Sequence, residues 1–185
     1  MQQRIQKATR GVHAENISFI SQNCIGGVLY HDLGLSFLSP TINAFIPEPG
    51  FVKFVLNLRH YMDQELVIRW GEEYPIGTLD DVEIHFMHYD TCTNAKDAWD
   101  RRKARLNWDK LFVIATDRDG FDDAVFAEWK KIPYPKVLFT AQKKYASEAD
   151  CVYFSQYENC GKVLDLIPTR AFYKDGILIK KIESI

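Results

Sequence analysis

The sequence predicts a layered α/β fold around a mainly parallel sheet, and three observations carry that expectation. Short apolar runs alternate along the chain with segments of helical period. Residues 111–115 form an uninterrupted apolar run of the kind that strands buried on both faces require. The 185 residues are 46% hydrophobic, enough for one substantial core, so a single α/β domain is expected over 1–185.

Taken in order, strands are expected at residues 16–22, 41–46, 65–70, 82–89, 111–116, 136–140 and 151–155. A last pair, 171–174 and 177–182, is expected as a C-terminal hairpin, because Asp175-Gly176 is a turn dipeptide of the type that joins adjacent strands. Phe51, Phe54, Val55, Leu58, Tyr61 and Met62 recur at spacings of three and four, which predicts a helix starting near Gly50, after Pro47 and Pro49. Two further helices are expected, at 94–106 and at 122–131. Asp122 is placed to cap the second, and Pro133 and Pro135 end it.

Net charge is −2 and charged residues make up 26% of the chain, so no broad basic surface exists for a nucleic-acid backbone. The first sixteen residues lack the apolar core of a secretory leader, and no run approaches the ~18 apolar residues of a membrane span. These features point to a cytoplasmic protein without a transmembrane segment, with peripheral membrane contact left open. Cys24, Cys92, Cys151 and Cys160 show no zinc-like pairing and read as free thiols.

Three stretches hold chemistry-bearing residues. In "SQNCIGGVLYHDLG", residues 21–34, Gly26 and Gly27 sit where a first strand hands over to a helix. Such a turn lets backbone N–H groups approach a phosphate, or simply packs tightly. Asn23, His31 and Asp32 beside it are candidates to orient sugar hydroxyls or phosphate. Cys24 is either a nucleophile at the helix start or a buried thiol.

In "LDDVEIHFMHYD", residues 79–90, strand alternation sends Asp81, Glu83, His85, Met87 and Tyr89 to one face. Val82, Ile84, Phe86 and His88 go to the other, where His88 reads as a core histidine. Glu83 and His85 are thus candidates for a catalytic base and its orienting partner if the strand is central, and an ordinary wet row if it is an edge.

In "LFVIATDRDGFDD", residues 111–123, Asp117 and Asp119 emerge at the carboxyl end of a strand. Their D-x-D spacing suits Mg²⁺ or Mn²⁺ held against a diphosphate, and equally an ordinary turn; Asp119 is also a candidate base. Arg102 shares a helical stripe with Ala95, Trp99 and Leu106. It therefore needs an anionic partner, either Glu83 or Asp117 or a substrate phosphate. Arg101 is expected to pair with Asp97.

The segments "NCIGGVLYHDLGLSFLSPTIN", "YPIGTLDDVEIHFMHYDT", "AWDRRKARLNWDKLFVIATDRDG" and "VLFT" together resemble a bacterial family of uncharacterised proteins associated with exopolysaccharide or capsule biosynthesis. The resemblance runs from Asn16 to about Tyr145 and implies a three-layer α/β/α, Rossmann-like arrangement. Family members carry labels as different as exopolysaccharide biosynthesis protein and acetyltransferase, so the activity stays open.

Three functions follow as expectations. One is a glycosyltransferase-like enzyme taking a sugar nucleotide or polysaccharide precursor, with Gly26, Gly27 and Arg102 on phosphate, Glu83 or Asp119 as base and His85 orienting the acceptor. The second is acyl transfer by Cys24 with His31, His85 or His88. The third is a non-catalytic binding or assembly module of the same pathway.

Overall fold

A computed structural model describes residues 14–185, so the reading of a missing leader in the first sixteen residues lies almost wholly outside the described residues. Within them the architecture is mixed α/β, with one parallel sheet and one antiparallel sheet. The parallel sheet holds β1 (Ser18–Ser21), β5 (Leu111–Thr116), β6 (Lys136–Thr140) and β7 (Cys151–Tyr153), in that order across the sheet. The antiparallel sheet holds β2 (Val67–Trp70), β3 (Pro75–Leu79) and β4 (Val82–His85).

β5 and β6 are buried along their whole length, so both faces of the parallel sheet must be covered. Phe19, Phe112, Ile114, Val137 and Phe139 project to one side. They pack there with Leu29 and Tyr30 of α1 (Ile25–Leu33) and with Leu178 and Ile182 of α6 (Ile177–Ile182). Ile20, Val113, Ala115 and Leu138 project to the other side. Their neighbours are Phe51 and Phe54 of α2 (Gly50–Leu56), Tyr61 of α3 (Leu58–Asp63), Trp99 of α4 (Cys92–Lys103) and Trp129 of α5 (Asp123–Trp129). The inner face of the antiparallel sheet, with Leu79, Val82 and Ile84, closes this second core. Because the four strands run parallel, their carboxyl ends share one rim, which is where the chain's polar loops gather.

Several elements differ from expectation for identifiable reasons. The expected helix from Gly50 breaks at Asn57, where φ −117° and ψ 34° interrupt the α conformation between α2 and α3. Residues 41–46 form no strand: Ala44 N–H donates to Thr41 O and Asn43 has φ 59°, leaving only an antiparallel bridge between Phe45 and His85. This short segment nevertheless stitches the two sheets together. Phe45 exchanges backbone hydrogen bonds with His85 at 2.9 and 2.8 Å, and Ile46 N–H donates to Gln22 O at 2.9 Å.

β3 is an unexpected strand, paired on both edges. The C-terminal hairpin is absent. Asp175 and Gly176 do adopt the left-handed backbone of a turn, at φ 54° and 67°. The chain then enters α6, because Leu178, Ile179 and Ile182 bury one helical face while Lys180 and Lys181 fall on the other. Among the described residues no helix is long and apolar enough to cross a membrane.

Candidate functional site

At the carboxyl rim the sheet ends in a buried polar lattice. The Gln22 side chain is fully buried, and its Oε1 accepts from Thr116 N at 2.9 Å and Thr116 Oγ1 at 2.8 Å. Its Nε2 donates to Glu48 Oε1 at 3.1 Å, and Val52 N–H donates to the other Glu48 oxygen, also at 3.1 Å. Burial pushes the Glu48 carboxyl up to about 7, against the pull of the Val52 N–H. Asp117 sits beside this lattice, accepting from Thr140 Oγ1 at 2.9 Å, Ala141 N at 2.7 Å and Val163 N at 2.7 Å. These contacts fix the loops after β1, β5 and β6 against one another.

Above the lattice opens a cleft of about 690 Å³. Its polar lining comes from Asn23 and Cys24 after β1, Thr116 at the end of β5, Arg118 and Asp119 beyond it, and Asn43, His88 and Asp165 from other loops. Its apolar lining comes from Ile25 and Val28 of α1, Phe45, Met87 and residues 164, 166 and 167. Asn23 Oδ1 accepts from Ile25 N–H at 3.1 Å, and Asn23 Nδ2 donates to Thr116 Oγ1 at 3.4 Å. Asp119 has φ 58°, its carbonyl accepts from Glu48 N–H at 3.1 Å, and Arg118 Nε lies 3.8 Å from its carboxylate.

Cys24 is the N-cap residue of α1, and its Sγ lies 3.2 Å from His88 Nε2, with both residues in the cleft. Burial pushes the Cys24 thiol up, and the negative charge of Asp165 pushes it further. The first backbone donors of α1 are already committed: Ile25 N–H to Asn23 Oδ1, and Gly26 N–H to Ser21 Oγ at 3.1 Å. An oxyanion forming near Sγ would therefore rely on side-chain donors in the cleft, Asn23 and Arg118 among them.

The sequence-derived candidates thus separate. Asn23 and Asp119 line the cleft together with Cys24. Gly26 and Gly27 do not. Both are buried, and their lack of a side chain serves packing. A Cβ on Gly26 would stand 2.6 Å from Ser21 Cβ, and one on Gly27 would stand 3.1 Å from Asn43 Oδ1. His31 is solvent-exposed. The Asp32 side chain is covered and takes Arg170 Nε at 2.8 Å and Tyr173 OH at 3.3 Å, which ties the C-terminal segment to α1.

Arg102 meets neither Glu83 nor Asp117. Its Nη1 donates to Ile42 O at 3.0 Å and to Tyr89 OH at 2.6 Å, and its guanidinium covers the Phe37 ring. On the same helix, Lys96 pairs with Asp100 at 3.0 Å, in place of the expected pair of Asp97 with Arg101. Glu83 and His85 stand on the outer face of the antiparallel sheet, away from the cleft lining. There His85 Nε2 meets Glu83 Oε1 at 2.9 Å and Tyr74 OH meets His85 Nδ1 at 3.2 Å.

The Asp117 and Asp119 pair does not fit a divalent cation. Both Asp117 oxygens already accept hydrogen bonds from the fold, and no cluster of three ligating side chains exists among the described residues.

Sequence reasoning named His88 among three possible partners of Cys24 but placed its side chain in the core, and the structure does not. β4 ends at His85, and Phe86 to Tyr89 close a turn through Tyr89 N–H to Phe86 O, so the two-residue alternation no longer applies. His88 consequently stands exposed on that turn, facing Cys24 from a position 64 residues away in the chain. Local pattern carries no signal for where β4 stops, three residues before His88.

Compared with known proteins, the chain is similar to an uncharacterized protein of Haemophilus influenzae. The two are 34% identical over 154 residues, covering 82% of this chain and 74% of that protein. The family described as "Domain of unknown function (DUF1919)" matches residues 2–184, and the chain belongs to it.

Proposed function

We propose that the cleft is an active site for acyl transfer, with Cys24 as nucleophile and His88 as its general base. The observation that carries this reading is the 3.2 Å approach of Cys24 Sγ to His88 Nε2 at the wall of a 690 Å³ cleft. His88 Nε2 takes the thiol proton as sulfur attacks the donor's carbonyl carbon. A carbon–sulfur bond forms, the bond to the leaving group breaks, and His88 returns the proton to that group. An acceptor hydroxyl then gives its proton to His88 while its oxygen attacks the Cys24 thioester, and the thiol is restored.

The acceptor we assign is a hydroxyl of a surface-polysaccharide precursor, in keeping with the exopolysaccharide resemblance. We read the chain as a single cytoplasmic domain of three-layer, Rossmann-like kind. Supporting this are the helices on both faces of the parallel sheet and four free cysteines.

One observation favours a second reading, a glycosyltransferase-like enzyme. The cleft lies outside the carboxyl ends of parallel strands, with Arg118 available to a diphosphate and Asp119 to an acceptor hydroxyl. Incubating the protein with acyl thioesters and sugar nucleotides separates the two. The first reading expects an acyl adduct on Cys24 by intact mass, abolished by iodoacetamide and in Cys24→Ser. Transfer that survives unchanged in Cys24→Ser overturns it. A thermal shift with nucleotide sugars and no adduct moves the assignment to the second reading.

A further inference from the structure

We infer that the cleft accepts an acyl chain of several carbons, lodged between α1 and the segment around Leu164, rather than a bare acetyl group; this rests on the Cys24–His88 reading above. Cys24 stands where the cleft changes character. On the strand side its neighbours are Asn23, Thr116, Arg118 and Asp119; on the helix side Val28 follows one turn along α1, with Phe45, Met87, Leu164, Leu166 and Ile167 around the same space and Asn43 and Asp165 as the polar residues among them. A carbonyl carbon placed at Sγ therefore has polar donors on one side and a mainly hydrocarbon wall on the other. That is the division an acyl group with an alkyl tail presents.

The surface tells the same story. Among the described residues, four large apolar side chains are notably exposed, and two of them, Met87 at 44% and Leu164 at 47%, sit in this cleft. Apolar side chains left uncovered inside a concavity mark a place where a ligand removes them from water. The volume of about 690 Å³ falls within the roughly 300–1,000 Å³ of small-molecule sites and exceeds what an acetyl group fills. On the polar side, Arg118 has, among the described residues, only Asp119, at 3.8 Å, as an ion-pair neighbour. It remains available to an anionic part of the donor or acceptor. Chemistry on the chain is the balanced step already given: the S–C bond forms, the bond to the leaving group breaks, and no oxidant or reductant enters.

The test uses p-nitrophenyl acetate, butyrate and octanoate with the full chain, reading the p-nitrophenolate burst and the mass of the Cys24 adduct. A separate calorimetric arm measures decanoate and acetate binding by the Cys24→Ser protein. The expected result is a kcat/KM for octanoate at least about tenfold above acetate, from methylenes leaving water. Val28→Trp should collapse that ratio toward unity. Leu164→Asp, at an exposed position, should lower the octanoate-to-acetate ratio of kcat/KM by about threefold or more.

Flat turnover across the series, with an iodoacetamide-sensitive acetate burst and no decanoate binding, overturns the chain-length inference and leaves the Cys24–His88 reading standing. Decanoate binding without any adduct on the wild-type protein supports the apolar slot and removes the acyl-transfer chemistry instead.

Discussion

The carboxyl rim of the parallel sheet and the outer face of the antiparallel sheet each hold a histidine with a close partner, yet they are built differently. At the rim, His88 and Cys24 face a cleft that meets, through Thr116, a lattice of buried polar groups, Gln22 and Glu48, with Asp117 held next to it in the chain. On the outer face, Glu83 and His85 meet at 2.9 Å with Arg69 at 3.9 Å from Glu83, and all three lie outside that cleft's lining. A close pair of ionisable groups is therefore a weak sign of chemistry by itself. Concavity, and a buried scaffold that fixes the loops around it, distinguish the first region from the second.

The largest effect expected from this contrast is on stability. Asp117→Ala strands the Thr140 hydroxyl and the Ala141 and Val163 N–H groups inside the protein, where Asp117 itself is only 4% exposed. A loss of about 4 kcal/mol in urea unfolding is expected. Glu83→Ala on the outer face should cost about 0.5 kcal/mol or less, because the Glu83 carboxylate is itself 47% exposed and its Arg69 partner is exposed too. Equal losses at the two positions would break the comparison.

Next comes a pH dependence that belongs to the rim. Glu48 is raised by burial from its ordinary 4.5 to about 7. Below 4.5 folded and unfolded chains both hold the proton, so stability is at its full value. Between 4.5 and 7 the unfolded chain releases its proton while the folded one keeps it, and stability falls as pH rises. The decline amounts to about 3 kcal/mol and is complete above pH 7. Urea titrations at pH 5 and pH 8 check it, and Glu48→Gln should flatten that part of the profile.

The third effect is catalytic and separates the two histidines directly. His88→Ala should lower acyl transfer by about a hundredfold, equivalent to about 2.7 kcal/mol of barrier, since the thiol loses its proton acceptor. His85→Ala should change the rate by less than about threefold, since it reaches the cleft only through the Phe45 backbone bridge. Rates of Cys24 acylation in both variants decide the matter, and a larger loss at His85 would reverse the assignment.

What the sequence made legible follows the same division. β5 and β6 were readable because strands buried on both faces are written as apolar runs, and the α5 cap at Asp122 follows a local rule that its 2.9 Å bond to Val125 N–H obeys. β3, "PIGTL", was not readable: its proline and glycine carry turn signals, and only pairing with β2 and β4 makes it a strand. The C-terminal hairpin failed because an Asp-Gly turn and a helical burial pattern compete in the same residues, and the packing of Leu178 and Ile182 decides for the helix. At the site, Cys24 and Asp119 were placed by a general rule about strand ends. His88 and the partners of Arg102 depend on where a strand stops and which carbonyl lies opposite, and neither leaves a trace in local pattern.

Arg102 gives the smallest effect and sharpens the comparison at the seam between the regions. Its Nη1 holds the Ile42 carbonyl and the Tyr89 hydroxyl, and so pins the segment that runs through Phe45 to His85 and through Ile46 to Gln22. Arg102→Met keeps the length and apolar contact of the stem but removes both hydrogen bonds, for an expected loss of about 1 kcal/mol. Arg102→Lys retains a charge but has a single nitrogen and cannot reproduce the planar cover over Phe37, so it should recover less than half of that loss. If the seam transmits order to the cleft, amide exchange at Phe45 and Ile46 quickens in Arg102→Met while exchange within β5 does not. Unchanged exchange at those two amides would show that the two sheets hold the segment without help from α4.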